Sequence, residues 1–362
     1  MKKIKVLIVD DSGVMRKLLS DIITQDGEME VIGTAASGVE AVQKAESLHP
    51  DVITMDINMP KMNGILAVEH IMKSRPTPIV MISSVTQHGA EATLKALELG
   101  AVDFIAKPSG DISLDIESLQ MEIASKVKTA SKIKVVRNVN GSPKGASDLL
   151  GTSHLKVTRG LVRRSPSPPT LKLVAPHILA IGCSTGGPQA LNEILGELPS
   201  YFPYPILVVQ HMPEKFTKEL AKQLNQKVKL KVVEAEDGDK IKGGTVYIAP
   251  GSYHMRVTPH EMIRLSQDEK VNGHRPSIDV MMESVSEVYG KHAIGVLLTG
   301  MGSDGARGLY KVKQAQGVTI AQDELTSAVF GMPKVAIEMG CVDYVLPLPL
   351  IAKRLVGFIK QH

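Results

Sequence analysis

Short apolar runs rich in Val, Ile and Leu, most of them giving way at once to polar or glycine residues, recur along this chain and decide its architecture. In the first half they are Lys5–Val9, Glu30–Ala35, Asp51–Met55, Ile79–Ile82 and Val102–Ile105. In the second they are His177–Ile181, Pro205–Val209, Ala293–Leu298 and Val318–Gln322. They read as buried parallel strands. Between them Val14–Ile23, Val39–Leu48, Leu66–Lys73 and Glu91–Leu99, then Leu191–Leu198, Lys215–Leu224, Ile278–Tyr289 and Ala306–Gln314, carry helical spacing. The alternation predicts an α/β chain of two doubly wound parallel-sheet domains, the second larger. Lys229–Glu234, Thr245–Ile248 and His254–Val257 are predicted strands, parted by Asp237-Gly238 and Lys242-Gly243-Gly244, and suggest a hairpin-like insertion.

A length of 362 residues also favours more than one domain. The boundary shows in the charge. Between Ser125 and Lys172 stand eleven Lys or Arg and one acid, Asp148, a surplus of ten in a chain whose total is +4. Asn140-Gly141-Ser142-Pro143 and Arg163-Arg164-Ser165-Pro166-Ser167-Pro168-Pro169 fall in the same stretch, and no apolar period persists. Residues 125–172 therefore read as a linker between domains at 1–124 and 173–362. A solvated linker or a docking segment for an acidic partner both fit its charge. With no Trp and 3% aromatic residues, base-stacking surfaces are not expected, and no nucleic-acid partner is. No apolar run approaches the roughly 18 residues of a membrane span, so no direct membrane insertion is expected. Met1-Lys2-Lys3-Ile4 runs straight into a strand without a signal-peptide pattern, and Cys183 and Cys341 make no disulfide framework. The expectation is a soluble, cytoplasmic chain.

The first domain places Asp10-Asp11 and Asp56 at the ends of its first and third strands, and Ser83 and Lys107 past its fourth and fifth. Three converging carboxylates repel one another and need a cation, and hard oxygen ligands suit Mg²⁺. An aspartate so placed can attack a phosphoryl donor. Lys107 supplies a second cation, and the Ser83 hydroxyl can reach the new phosphoryl group. The pattern resembles the response-regulator receiver domain over about residues 3–122, through Asp10-Asp11, Asp56-Ile57-Asn58-Met59-Pro60-Lys61-Met62-Asn63-Gly64, Ser83 and Lys107-Pro108. The resemblance implies that Asp56 is the phosphoacceptor. It implies that Asp10, Asp11, Asp56 and the Asn58 carbonyl hold Mg²⁺, and that Phe104 is the aromatic switch residue.

The second domain carries Gly182-Cys183-Ser184-Thr185-Gly186-Gly187-Pro188, Gln210-His211-Met212-Pro213 and Thr299-Gly300-Met301-Gly302-Ser303-Asp304-Gly305, each directly after a strand. Ligands bind at that edge of open α/β sheets. A serine hydroxyl needs a base to become a nucleophile, a histidine can serve near neutral pH, and an aspartate can fix its tautomer. Ser184, His211 and Asp304 can fill those roles. Gly186, Gly187 and the helix start beyond Pro188 can offer N–H groups to an oxyanion. Ser184 lacks the G-x-S-x-G elbow, and the order Ser…His…Asp differs from that of α/β-hydrolases. Other readings stay open. Gly300–Gly305 fits the dinucleotide fingerprint, with Asp323 beyond it. Cys183 could be the nucleophile, and His211 could be a cap. For His254, His274 and His292 a structural role is the expectation.

These phrases, with Gly244–His254 and Arg275–Asp279, resemble the chemotaxis protein-glutamate methylesterases, which join a receiver to a methylesterase domain by a linker. That resemblance implies a triad of Ser184, His211 and Asp304 with Met301 donating its N–H at the oxyanion hole, and no cofactor for hydrolysis. The implied substrate is a glutamyl γ-methyl ester on the cytoplasmic part of a methylated chemoreceptor. Deamidation of receptor glutamines is implied as a second activity, and a chemotaxis histidine kinase as phosphodonor.

Overall fold

A computed structural model describes residues 2–107, 116–133, 135 and 177–359. Pro108 and most of the expected linker lie outside them. The first domain runs β1 (Ile4–Val9), α1 (Gly13–Gln25), β2 (Met29–Ala35), α2 (Gly38–Leu48), β3 (Val52–Asp56), α3 (Gly64–Ser74), β4 (Ile79–Ser83), α4 (Gln87–Glu98), β5 (Asp103–Ala106) and α5 (Ile116–Ala130). Its strands pair in parallel in the order β2-β1-β3-β4-β5. The order reverses between β1 and β3, so the crevice that such a reversal opens lies at Asp10 and Asp56. The linker's expected start, Ser125, falls inside α5. Ile123, Val127 and Ala130 are buried there at helical spacing, and they hold the helix on the sheet despite the lysines among them.

The second domain runs β6 (Ile178–Cys183), α6 (Gly187–Glu197), β7 (Ile206–Gln210), α7 (Phe216–Lys227), β8 (Lys231–Glu234), β9 (Thr245–Ile248), β10 (His254–Val257), β11 (Ile263–Ser266), α8 (Ile278–Tyr289), β12 (Ala293–Leu297), α9 (Ala306–Gln314), β13 (Val318–Gln322), α10 (Met332–Glu338), β14 (Tyr344–Leu346) and α11 (Leu348–Ile359). Seven strands pair in parallel in the order β14-β13-β12-β6-β7-β9-β8. β8 and β9 thus belong to the main sheet, and the insertion is the antiparallel pair β10–β11. Every residue of β6, β7 and β12 is buried, which is why those segments read as unbroken apolar runs. The chain leaves β6 toward β7 on one side and returns as β12 on the other. The switch point therefore sits above β6 and β12, at the loops that carry Ser184 and Asp304.

The domains pack against each other with apolar side chains. Leu97, Ala101 and Phe104 of the first join Met212, Phe216 and Leu220 of the second in one buried cluster. Among the described residues no helix is long and apolar enough to cross a membrane.

Candidate active site

Ser184 and His211 each follow directly on a paired position of adjacent strands, Cys183 opposite Gln210. The backbone holds them side by side: His211 N–H donates to Cys183 O at 3.1 Å, and the buried Gln210 amide donates to Ser184 O at 3.0 Å. Asp304 lies in the loop between β12 and α9 and is 1% exposed. His211 Nε2 lies 2.8 Å from Asp304 Oδ2. Four further donors converge on the same carboxylate: Ile278 N–H at 2.7 Å and Ser277 Oγ at 2.8 Å, with Asn272 Nδ2 at 3.1 Å and Asp279 N–H at 3.3 Å. Burial alone would raise the Asp304 carboxyl, but bonds from His211, Ile278 and Ser277 hold it well below the usual carboxylate range. Asp304 is therefore a fixed anion, and its acceptor oxygen assigns the ring proton to Nε2 of His211.

That leaves His211 Nδ1 as the ring's acceptor, buried and without a hydrogen-bond partner. The nitrogens serve in the reverse of the chymotrypsin arrangement, where Nδ1 faces the aspartate. Ser184 is half-buried and does not bond to His211 in this structure, as is common before substrate binds. The loop 298–305 packs on the serine: a Cβ on Gly300 would stand 2.8 Å from Ser184 Cβ and 2.4 Å from Met332 Sδ. Gly300 and Gly305 of the fingerprint are thus packed against side chains of the protein itself, whereas nothing lies within 4 Å of a Cβ at Gly302. Gly186 caps α6 at φ 78 with no side-chain hydrogen bond, Gly187 N–H donates to Ser184 O at 2.8 Å, and the positive end of the helix lies beside the serine. Cys183 is fully buried, and burial pushes its thiol up, away from the thiolate a nucleophile needs.

In the first domain Lys107 Nζ lies 3.0 Å from Asp10 Oδ2 and 2.9 Å from Asp56 Oδ1. Asp10 and Asp56 are buried and Asp11 is exposed, and one carboxylate oxygen from each lies within 4.8 Å of the others. Asp10 Oδ2 meets only the Lys107 ammonium among the described residues, and three converging hard carboxylates are the donor set that a divalent cation takes. Burial raises the Asp56 carboxyl, and Lys107 opposes the rise. Asn58 is exposed just beyond. Ser83 is buried, its hydroxyl donating to Gly89 O at 3.2 Å rather than projecting into the acidic pocket.

Phe104 is not confined to the first domain. Its ring stacks on Phe216 at the start of α7, with centroids 4.5 Å apart and planes 11° apart. Thr185, next to the serine, donates to Asp103 Oδ2. Ser125 Oγ and Thr129 Oγ1 of α5 lie 3.3 and 3.0 Å from Met301 Sδ. The space left between the domains, where Phe104 and Leu97 meet Ser184, Gly186 and Gln210, is about 10 Å³, no more than one water needs. β5 thus carries Phe104 on the catalytic domain and leads directly into Lys107 beside the acidic pocket, three residues on. Sequence reading gave Asn272, Ser277 and Asp279 no role, and His274 only a structural one. Their only signals were the Asn272-Gly273 turn dipeptide and the 275–279 phrase, and neither says what its side chains touch.

Comparison with known proteins agrees with this geometry. Residues 179–355 match the CheB methylesterase family, and residues 6–116 match the response regulator receiver domain. The chain is 47% identical to a protein-glutamate methylesterase/protein-glutamine glutaminase of Pyrococcus horikoshii, over 99% of this chain and 94% of that one. The protein of the same name from Thermotoga maritima is 45% identical over 98% of each. Among solved structures, the Thermotoga maritima CheB methylesterase catalytic domain is 46% identical with a TM-score of 0.50, covering 51% of this chain and 100% of that one.

Proposed function

The chain belongs to the protein-glutamate methylesterase/protein-glutamine glutaminase family, and on that premise we propose that it removes methyl groups from glutamyl γ-methyl esters of chemoreceptors under receiver control. The observation that carries the assignment of the site is the His211–Asp304 pair beside Ser184 at the switch point of the sheet. Ser184 Oγ attacks the ester carbonyl as His211 Nδ1 takes its proton. The oxyanion develops against the start of α6 and the Met301 N–H, which donates to no other atom among the described residues. His211 returns the proton to methanol, and water repeats the sequence on the acyl-enzyme. A receptor glutamine would form the same acyl-enzyme with loss of ammonia. The test is methanol release from a methylated chemoreceptor by the full chain, before and after phosphorylation. A chain that releases none in either state is not a methylesterase.

For the receiver, Asp56 is the proposed phosphoacceptor, and Asp10, Asp11, Asp56 and the Asn58 carbonyl would hold Mg²⁺, which neutralises charge on the entering phosphoryl group. A chemotaxis histidine kinase is the proposed donor. Labelling by acetyl phosphate should require Mg²⁺ and disappear in Asp56→Ala. Equal labelling of that variant would place the phosphoryl group elsewhere.

The closed cleft supports gating by occlusion. The cavity between Phe104 and Ser184 has about 10 Å³ free, too little for a receptor segment to pass through it. Phosphorylation would shift the population by loosening Phe104 from Phe216 and α5 from Met301, and tenfold activation needs only about 1.4 kcal/mol. Thr129→Val removes one hydroxyl from Met301 while keeping the shape of α5. It is expected to raise methanol release by the unphosphorylated chain by roughly two- to fivefold and to leave the phosphorylated rate unchanged. An equal change in both states would mean that α5 acts on catalysis and not on closure.

A further inference from the structure

His211 is held to Asp304 by a single hydrogen bond, and one bond leaves an imidazole free to pivot about the line that joins the two residues. Its remaining nitrogen must nevertheless face Ser184 each time a substrate arrives. What stops the pivot is a second histidine. The ring of His274 lies flat on the ring of His211, with centroids 3.8 Å apart and planes 8° apart. His274 comes from a segment that already surrounds the pair. Asn272 and Gly273 adopt φ of 53° and 80°, the pattern of a type I′ turn, closed by Val271 N–H to His274 O at 3.1 Å and His274 N–H to Val271 O at 2.9 Å. The turn aims the Asn272 amide at both Asp304 and Asp279 and lays the next ring but one on His211. Three residues on, Ser277 Oγ and Ile278 N–H close on Asp304. One stretch of chain thus fixes both partners of the pair.

We propose that His274 is a positioning residue for the hydrolysis, a flat neutral plate that sets the plane of His211 and directs its Nδ1 at Ser184. The proposal rests on the assignment of Ser184, His211 and Asp304 to the reaction. The plate must stay uncharged while His211 takes up its proton, because two stacked imidazolium rings repel. The surroundings supply that condition. Burial, with His211 beside it, pushes His274 down to about 4. The other charged groups that act on it are Asp304, which opposes the fall, and Lys126 of α5 and Lys270, which reinforce it. A neutral aromatic face under the imidazolium also favours the cation once formed.

The test compares three replacements in the full-length, phosphorylated chain: His274→Phe keeps a flat ring, His274→Leu keeps comparable bulk without one, and His274→Ala keeps neither. A misdirected base costs on the order of 10²-fold. His274→Leu and His274→Ala are expected to lose about 10- to 100-fold in kcat, with KM for methylated receptor changed less than about twofold. His274→Phe is expected to recover kcat to within about threefold. If leucine serves as well as phenylalanine, or phenylalanine rescues nothing, or all three match the parent, the plate has no such role. Ser184→Ala in the same assay separates the two levels. An active Ser184→Ala overturns the assignment of the triad, whereas an inactive one beside an active His274→Leu overturns the positioning alone.

Discussion

Ser184→Ala is expected to lower methanol release by about 10⁴- to 10⁶-fold without disturbing the fold or the phosphorylation of Asp56. The structure gives reasons for both halves of that expectation. Everything the protein asks of Ser184 for stability is asked of its backbone. Its N–H donates to Thr299 O at 3.0 Å, and its carbonyl accepts from Gly187 N–H at 2.8 Å and from the Gln210 amide at 3.0 Å. Its Cβ packs where Gly300 leaves room, and alanine keeps that Cβ. Only the hydroxyl is lost. No neighbour can replace it: Cys183 points back into the sheet, its thiol 3.1 Å from Gln210 Oε1, and burial keeps it protonated. The measurement is methanol release by the phosphorylated full chain, with thermal melting as the control for folding. Release within tenfold of the parent would remove the serine from the chemistry.

What the sequence disclosed and what it withheld divide along a physical line. Strand ends were legible because a buried parallel strand must be apolar throughout and must stop at a residue that turns the chain. Ser184, His211 and Asp304 stand out as polar residues just past such stops, as do Asp10, Asp11 and Asp56. β14 escaped because a three-residue edge strand, with its central Val345 exposed, has no apolar run to display. The reach of α5 past Ser125 escaped because Lys126 and Lys128 hide the spacing of Ile123, Val127 and Ala130. The remaining features are contacts between residues distant in sequence, which no local pattern encodes. Which nitrogen of His211 faces Asp304, the stack with His274, and the grip of α5 on Met301 across 176 and 172 positions are of that kind. Phe104 was expected as a switch, but nothing in the chain's pattern announced that its partner would be Phe216.

Asp304→Asn is expected to lower kcat by roughly 10⁴-fold with little change in KM, although the substitution alters one atom. Asp304 is an acceptor for five donors, from His211, Asn272, Ser277, Ile278 and Asp279. An asparagine brings only one acceptor oxygen. Turned with its NH₂ toward His211, it opposes the Ile278 N–H and donates to Nε2. The ring proton is then forced onto Nδ1, where it blocks removal of the Ser184 proton. Turned the other way, it keeps the His211 bond but sets NH₂ against the Asn272 amide and the Asp279 N–H. One orientation therefore gives the wrong tautomer and the other leaves buried donors facing each other, at about 1–3 kcal/mol for each group left unpaired. The variant should melt at a lower temperature as well as turn over slowly, and ¹⁵N shifts of the His211 ring would report which nitrogen holds the proton. A few-fold loss of activity with the proton still on Nε2 would reduce Asp304 to the anchor of α8 through Ser277 and Ile278, and His211 would have to act without it.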